Sequence, residues 1–182
     1  MQKLVVLIVF LGLLALPLMA QEKVDVFGGY QYLHIGGGNA NGPSTGQGFN
    51  GWDGSVTGNF SKNFGVTGDF GGGYATIQGV SFKIYTYTGG PVVSMNAGRI
   101  KPFAHALFGG AHLSGSESGV SVSTNGYTMM VGGGLDAKVN RAVAVRLIQA
   151  DWLYYHFSGF LGSPSFSGSN NVRIATGIVL RF

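Results

Sequence analysis

From Val172 to Phe182 the chain alternates. Val172, Ile174, Thr176, Ile178, Leu180 and Phe182 fall on one set of positions, and Arg173, Ala175, Gly177, Val179 and Arg181 fall on the other. A period of two is the period of a strand, because a helix turning every ~3.6 residues would mix the two sets. Four earlier segments repeat the pattern cleanly. Lys23–Ile35 sets Val24, Val26, Gly28, Tyr30 and Tyr32 against Asp25, Gly29 and Gln31. Phe49–Ser61 sets Trp52, Gly54, Val56, Gly58 and Phe60 against Asp53, Ser55, Thr57 and Asn59. In Phe64–Thr76, Phe64, Val66, Gly68, Phe70, Gly72 and Tyr74 oppose Gly65, Thr67, Asp69, Gly71 and Ala75. In Tyr127–Val139, Tyr127, Met129, Val131, Gly133, Leu135, Ala137 and Val139 oppose Thr128, Gly132, Asp136 and Lys138.

Three segments are less regular. Ser81–Met95 fits either frame, and Pro91 removes one ladder donor; Tyr85 and Tyr87 are assigned to the apolar face. Ile100–Leu113 also has two frames, and placing His105 on the polar face leaves Ala104, Ala106 and Phe108 opposite it. Val143–Phe157 contains a conflict, because Arg146 has the opposite parity to Gln149 and Asp151. A β-bulge near Leu147–Gln149 resolves it and returns Trp152 and Tyr154 to the apolar face.

The connections alternate in character. Lys62-Asn63, Asn96–Arg99 and Asn140–Ala142 are tight. Gly36–Gln47, Ser114–Gly126 and Ser158–Ser169 are long and rich in Gly, Ser and Asn, which reads as flexible loops; Ile77–Val80 is short. Together these features predict an all-β fold, a closed antiparallel up-and-down barrel of eight strands. Residues 1–20 read as a cleaved signal peptide, with Lys3 ahead of the apolar stretch Leu4–Leu16 and cleavage after Ala20. Residues 21–182 then form a single domain.

Composition decides which solvent the apolar face meets. Charged residues make up only 10% of the chain, against about 25% in an average soluble domain. Aromatics make up 13%, and beyond the leader no run approaches the ~18 apolar residues of a spanning helix. Apolar residues spread over alternate positions of many short strands are the signature of a transmembrane barrel. In hydrocarbon each unsatisfied backbone group costs several kcal/mol, so such a sheet must close. Recurrent Gly-Gly pairs (28-29, 71-72, 89-90, 109-110, 132-133) fit the tight coiling of a small barrel. The chain has no cysteine, which excludes disulfides, zinc-thiolate chemistry and a lipid-modified terminal Cys. The net charge of +4 is scattered, with no Lys/Arg run, so nucleic acid is not an expected partner.

The inward charges are Asp25, Asp53, Asp69, Asp136, Lys138, Arg146, Asp151, Arg173 and Arg181. An eight-stranded lumen is filled by side chains, so these groups must pair with one another or with trapped water. Arg146 with Asp136 and Asp151, on adjacent strands, is the expected nucleus, joined by Arg173. Tyr30, Tyr32, Trp52, Tyr74, Tyr127, Trp152 and Tyr154 read as aromatic belts at the two membrane interfaces. The four His are too dispersed for metal-ligand spacing, the Gly-rich runs lack the Gly-Lys-Ser/Thr of a phosphate loop, and no cofactor is expected.

The overall patterning and the terminal Phe182 resemble the small Gram-negative outer-membrane β-barrel proteins of the OmpA/OmpX type. The resemblance implies an outer-membrane location with periplasmic termini, and a surround of outer-membrane lipid and lipopolysaccharide. It also implies a terminal aromatic, Phe182, read by the barrel-insertion machinery, and a monomer. It implies a non-enzymatic structural or surface-interaction role with a plugged lumen. His156 and Ser158 resemble the His-x-Ser pair of the outer-membrane lipid A 3-O-deacylase, another eight-stranded barrel, which also uses a downstream acid. Phe157–Phe182 contains no Asp or Glu. A soluble lipocalin-like carrier is the third reading, and it requires the apolar faces to point inward.

Overall fold

The computed structural model describes residues 24–36, 46–77, 79–117, 120–157 and 166–182. Eight strands follow in order: β1 (Val24–Ile35), β2 (Gln47–Asn59), β3 (Phe64–Ile77), β4 (Val80–Ser94), β5 (Ile100–Glu117), β6 (Val120–Lys138), β7 (Val143–Phe157) and β8 (Phe166–Arg181). Each pairs antiparallel with the next, and β8 returns to β1 to close the barrel. The closing seam runs from Asp25↔Arg181 to Ile35↔Asn171. At its foot the Phe182 amide donates to the Val24 carbonyl at 2.9 Å, and the Val24 amide returns a bond to the Phe182 carbonyl at 3.2 Å. The last strand therefore has a partner on each side and presents no open edge.

Turn chemistry explains the tight end. In the β6–β7 turn, Asn140 Oδ1 accepts from the amides of Ala142 and Val143, each at 2.8 Å. Ser61 Oγ does the same for the Phe64 amide at 3.1 Å in the β2–β3 turn. The β4–β5 turn places Gly98 at φ 65°, a left-handed conformation that glycine adopts without strain.

The other end departs from the sequence reading. Ser114–Gly126, expected to be a loop, is mostly strand. Pairing continues from Ser114↔Ser123 to Glu117↔Val120, so β5 and β6 form a long hairpin. The Ser/Gly composition masked a period-two pattern in which Val120 and Val122 alternate with serines. Likewise β8 begins at Phe166, within the stretch expected to be the last loop. The leader 1–20, residues 37–45 of the first long connection and residues 158–165 of the last lie outside the described residues.

Faces follow parity. Val56, Val66, Val131 and Ile178 are 51%, 47%, 57% and 54% exposed on the outer wall, while Asp53, Asp69 and Arg173 are almost wholly buried inside. Tyr85 and Tyr87 point out and His105 points in. The conflict in β7 resolves as a bulge: Leu135 pairs Ile148 while Asp136 pairs Arg146. Leu147 and Ile148 are consequently both exposed, at 52% and 45%, and Arg146 and Gln149 both face the lumen. A second shift separates Leu153↔Asn171 from Tyr155↔Gly168. No register shift falls at the Gly-Gly pairs, although the β4–β5 ladder lapses at Gly90 and Pro91, between Gly89↔Phe108 and Val92↔His105. Close approach explains one neighbour: a Cβ on Gly51 would strike the Gly72 carbonyl of β3.

The lumen as candidate functional site

The inward side chains form layers. In the middle lies Arg173, 1% exposed, reaching from β8 across the barrel. Its Nη1 meets Asp69 Oδ1 at 2.8 Å and Asp53 Oδ1 at 3.5 Å, while Nη2 meets Asp151 Oδ2 at 2.7 Å. Its second bond to Asp69, from Nη2 at 3.2 Å, makes that pair bidentate. One guanidinium thus ties β8 to β2, β3 and β7. Asp151 also receives His105 Nε2 at 2.7 Å and Gln149 Nε2 at 2.8 Å. Removing three carboxylates from water is costly, and their charge-assisted bonds to one planar cation offset that cost.

Below it, toward the turns, Arg146 Nε donates to Asp136 Oδ1 at 2.9 Å and its Nη1 donates to Gln149 Oε1 at 2.6 Å. The guanidinium is held between the Phe27 and Phe103 rings, at 4.2 and 4.3 Å from their centroids. The expected Arg146–Asp151 pair is therefore not formed. The bulge separates the two residues, and Gln149 bridges them. Lower still, Asp25 is shared by Lys101 Nζ at 2.8 Å and Arg181 Nε at 3.5 Å, and Arg181 Nη2 lies 3.6 Å from Asp136. Lys101 was missed from sequence although it shares the parity of His105. Lys138, expected in the lumen, instead reaches the turn-side mouth, where its Nζ donates to Asn96 Oδ1 at 2.8 Å. A cavity of only about 20 Å³ remains among these groups, room for about one water.

Above Arg173, toward the long connections, the lumen turns apolar. Leu33, Phe49, Ile84, Leu107, Met130, Leu153, Tyr155 and Phe157 are buried against one another. Sequence parity did not reveal this layer, because here both faces of a strand are apolar, as in Met129-Met130 and Tyr154-Tyr155.

Outside, the seven aromatics do not divide between two rims. Tyr30, Tyr32, Trp52, Tyr74, Tyr127, Trp152 and Tyr154 all stand on the loop-side half of their strands. They form linked runs: Trp52 Nε1 donates to Tyr74 Oη at 3.3 Å, Tyr74 meets Tyr85 edge-on, and Tyr127 stands beside Tyr154. The turn-side rim carries Phe60, Phe64, Met95, Val139 and Phe182 instead, with Phe182 74% exposed. His156 stacks on Tyr127 at 4.8 Å, and its Nδ1 lies 2.7 Å from Ser167 Oγ. Ser158 lies outside the described residues. Among the described residues no cluster of three His, Asp or Glu is arranged to hold a metal.

A closed eight-stranded barrel with an apolar exterior and charges sealed within matches one family description, the outer membrane protein beta-barrel domain, over residues 7–182. The chain belongs to this family. No curated protein matches it in sequence. Solved structures of outer-membrane barrels share its fold. The attachment invasion locus protein Ail of Yersinia pestis aligns at 20% identity and TM-score 0.58, covering 89% of this chain and 99% of that one. Neisserial surface protein A aligns at 12% identity and TM-score 0.68, over 89% and 100% of the two chains. OprG of Pseudomonas aeruginosa aligns at 11% identity and TM-score 0.57, over 88% and 96%. This outer-membrane barrel family fixes the location as the Gram-negative outer membrane, and it overturns the lipocalin-like reading, whose apolar faces would point inward.

Proposed function

We propose that this outer-membrane barrel is a non-enzymatic structural and surface-contact protein with a lumen closed by its own side chains. The turns and both termini face the periplasm, and the long β5–β6 hairpin and its neighbours face outward. Outer-membrane lipid and lipopolysaccharide surround it as a monomer, and Phe182 serves the insertion machinery. The stacking of a buried apolar layer on the Arg173 ion cluster carries this reading, because among the described residues the inward side chains of both layers are buried. The aromatic runs support the orientation: Tyr and Trp anchor the wall at one interface, while a Phe-, Val- and Met-lined rim marks the other.

The refolded protein is expected to show heat-modifiable gel migration and, in planar bilayers, no steady current. A sustained open-channel conductance from the same folded sample would refute the closed lumen.

A further inference from the structure

The charges of the described residues are sorted by position. All five described Asp side chains are buried in the lumen, and Glu117 sits at the loop-side tip of β5. Among the described residues, the cations not engaged in the Arg146 and Arg173 layers gather, with the exception of Lys83, at the turn side. Lys62 lies on the β2–β3 turn, Arg99 on the β4–β5 turn and Arg141 on the β6–β7 turn, all exposed. Behind them stand Lys101, Lys138 and Arg181, already held by Asp25 and Asn96. These six cations line one open vestibule of about 1140 Å³ around the barrel axis. Among the described residues no exposed acidic side chain shares that end. Its floor is shared with the small polar cavity through Asp25, Asn59 and Lys101, and the apolar layer beyond makes it a dead end.

A concave wall dominated by one sign of charge, here six cations against the buried Asp25 of its floor, focuses its field and raises the local concentration of counter-ions. We propose that this vestibule binds an extended acidic peptide, a chain of spaced carboxylates presented from the turn side; its periplasmic setting rests on the orientation given above. Three observations select that occupant. The cations are spread over three turns instead of converging on one point, which suits several separate anionic groups and not a single phosphate. The vestibule is wide enough for several residues. It opens along the barrel axis, whereas the outer wall beside the turns is apolar, with Phe64 and Met95 61% and 64% exposed. A lipid headgroup is held by its acyl chains against that outer wall, away from the axis. Arginine forks at Arg99 and Arg141 supply paired donors of the geometry a carboxylate accepts.

The test uses fluorescein-labelled hexaglutamate and the full barrel refolded in a non-ionic detergent, with binding read by anisotropy. Saturable binding is expected, lost when salt shortens the screening length from about 10 Å at 0.1 M to about 3 Å at 1 M. The triple variant Lys62→Glu, Arg99→Glu, Arg141→Glu is expected to weaken binding roughly tenfold or more by reversing the field at the mouth. Lys83→Glu is expected to leave binding unchanged, and labelled hexaglutamine is expected not to bind. Heat-modifiable migration confirms that each variant is folded, and the three single Gln substitutions, each expected to weaken binding, replace the triple if it fails to fold. Wild-type binding by the triple variant, or an equal loss in Lys83→Glu, would overturn the proposal. So would failure of the peptide to bind while phosphatidylglycerol is enriched over phosphatidylcholine in a turn-cation-dependent way, since that identifies a lipid site. Binding in detergent is independent of conductance and of orientation in cells, so a failure here is distinguishable from a failure of the closed-lumen reading.

Discussion

Arg173→Ala is expected to destabilise the barrel by about 3–5 kcal/mol, the range for breaking a buried ion pair by removing one partner. The cost arises less from the contacts removed than from what they leave behind. Asp53 and Asp69 lose the guanidinium that meets them at 3.5 and 2.8 Å, and Asp151 keeps His105 and Gln149. The deleted guanidinium also leaves a void where four strands are tied together. Urea titration followed by heat-modifiable migration reads this loss directly. Adding Asp69→Asn to Arg173→Ala removes one stranded charge, so the double variant is expected to be more stable than Arg173→Ala alone. Strict additivity of the two substitutions would show that the pair is not coupled and that the cluster does not hold the lumen closed.

Val131→Arg is expected to cost up to about 2–4 kcal/mol, the range for a cation on the lipid face, which is largest at the bilayer midplane and falls toward the interfaces. Val131 lies on the outer wall of β6 opposite Trp152 of β7, is 57% exposed, and points away from the lumen. In water the same change on an exposed strand would be nearly neutral, since an exposed Arg is well solvated. Folding yield into lipid vesicles, compared with Val131→Leu, measures the difference. Equal yields for Arg and Leu would mean that this wall does not meet acyl chains.

Strand order, closure and the direction of most side chains were legible in the sequence, because a period of two leaves little freedom once one face must meet lipid. Even the irregularity in β7 was readable, since Arg146, Gln149 and Asp151 could not all turn inward without an extra residue. The β5–β6 hairpin was not readable from composition: Ser and Gly suggest a loop until their pairing partners across the hairpin are seen. The charged residues of the lumen were legible by parity, but their partners were not. Adjacency of strands pointed Arg146 at Asp151, whereas Arg173 is long enough to reach across a narrow barrel to β2 and β3. Lys138 shows the limit of parity alone, since it faces inward at a height where the lumen has already opened. The division of the interior into an apolar layer above and an ionic layer below depends on strand stagger, which no single strand reveals.

The chain has no cysteine, so single cysteines can be introduced one at a time and spin-labelled in a phospholipid bilayer. At Val66, Val131 and Ile178 the label is expected to be accessible to oxygen dissolved in the acyl chains and shielded from a water-soluble nickel chelate. At the inward neighbours Thr67, Met130 and Val179 it is expected to be shielded from oxygen. The reverse alternation, or none, would contradict a wall that presents its apolar face to lipid and its ion pairs to the interior.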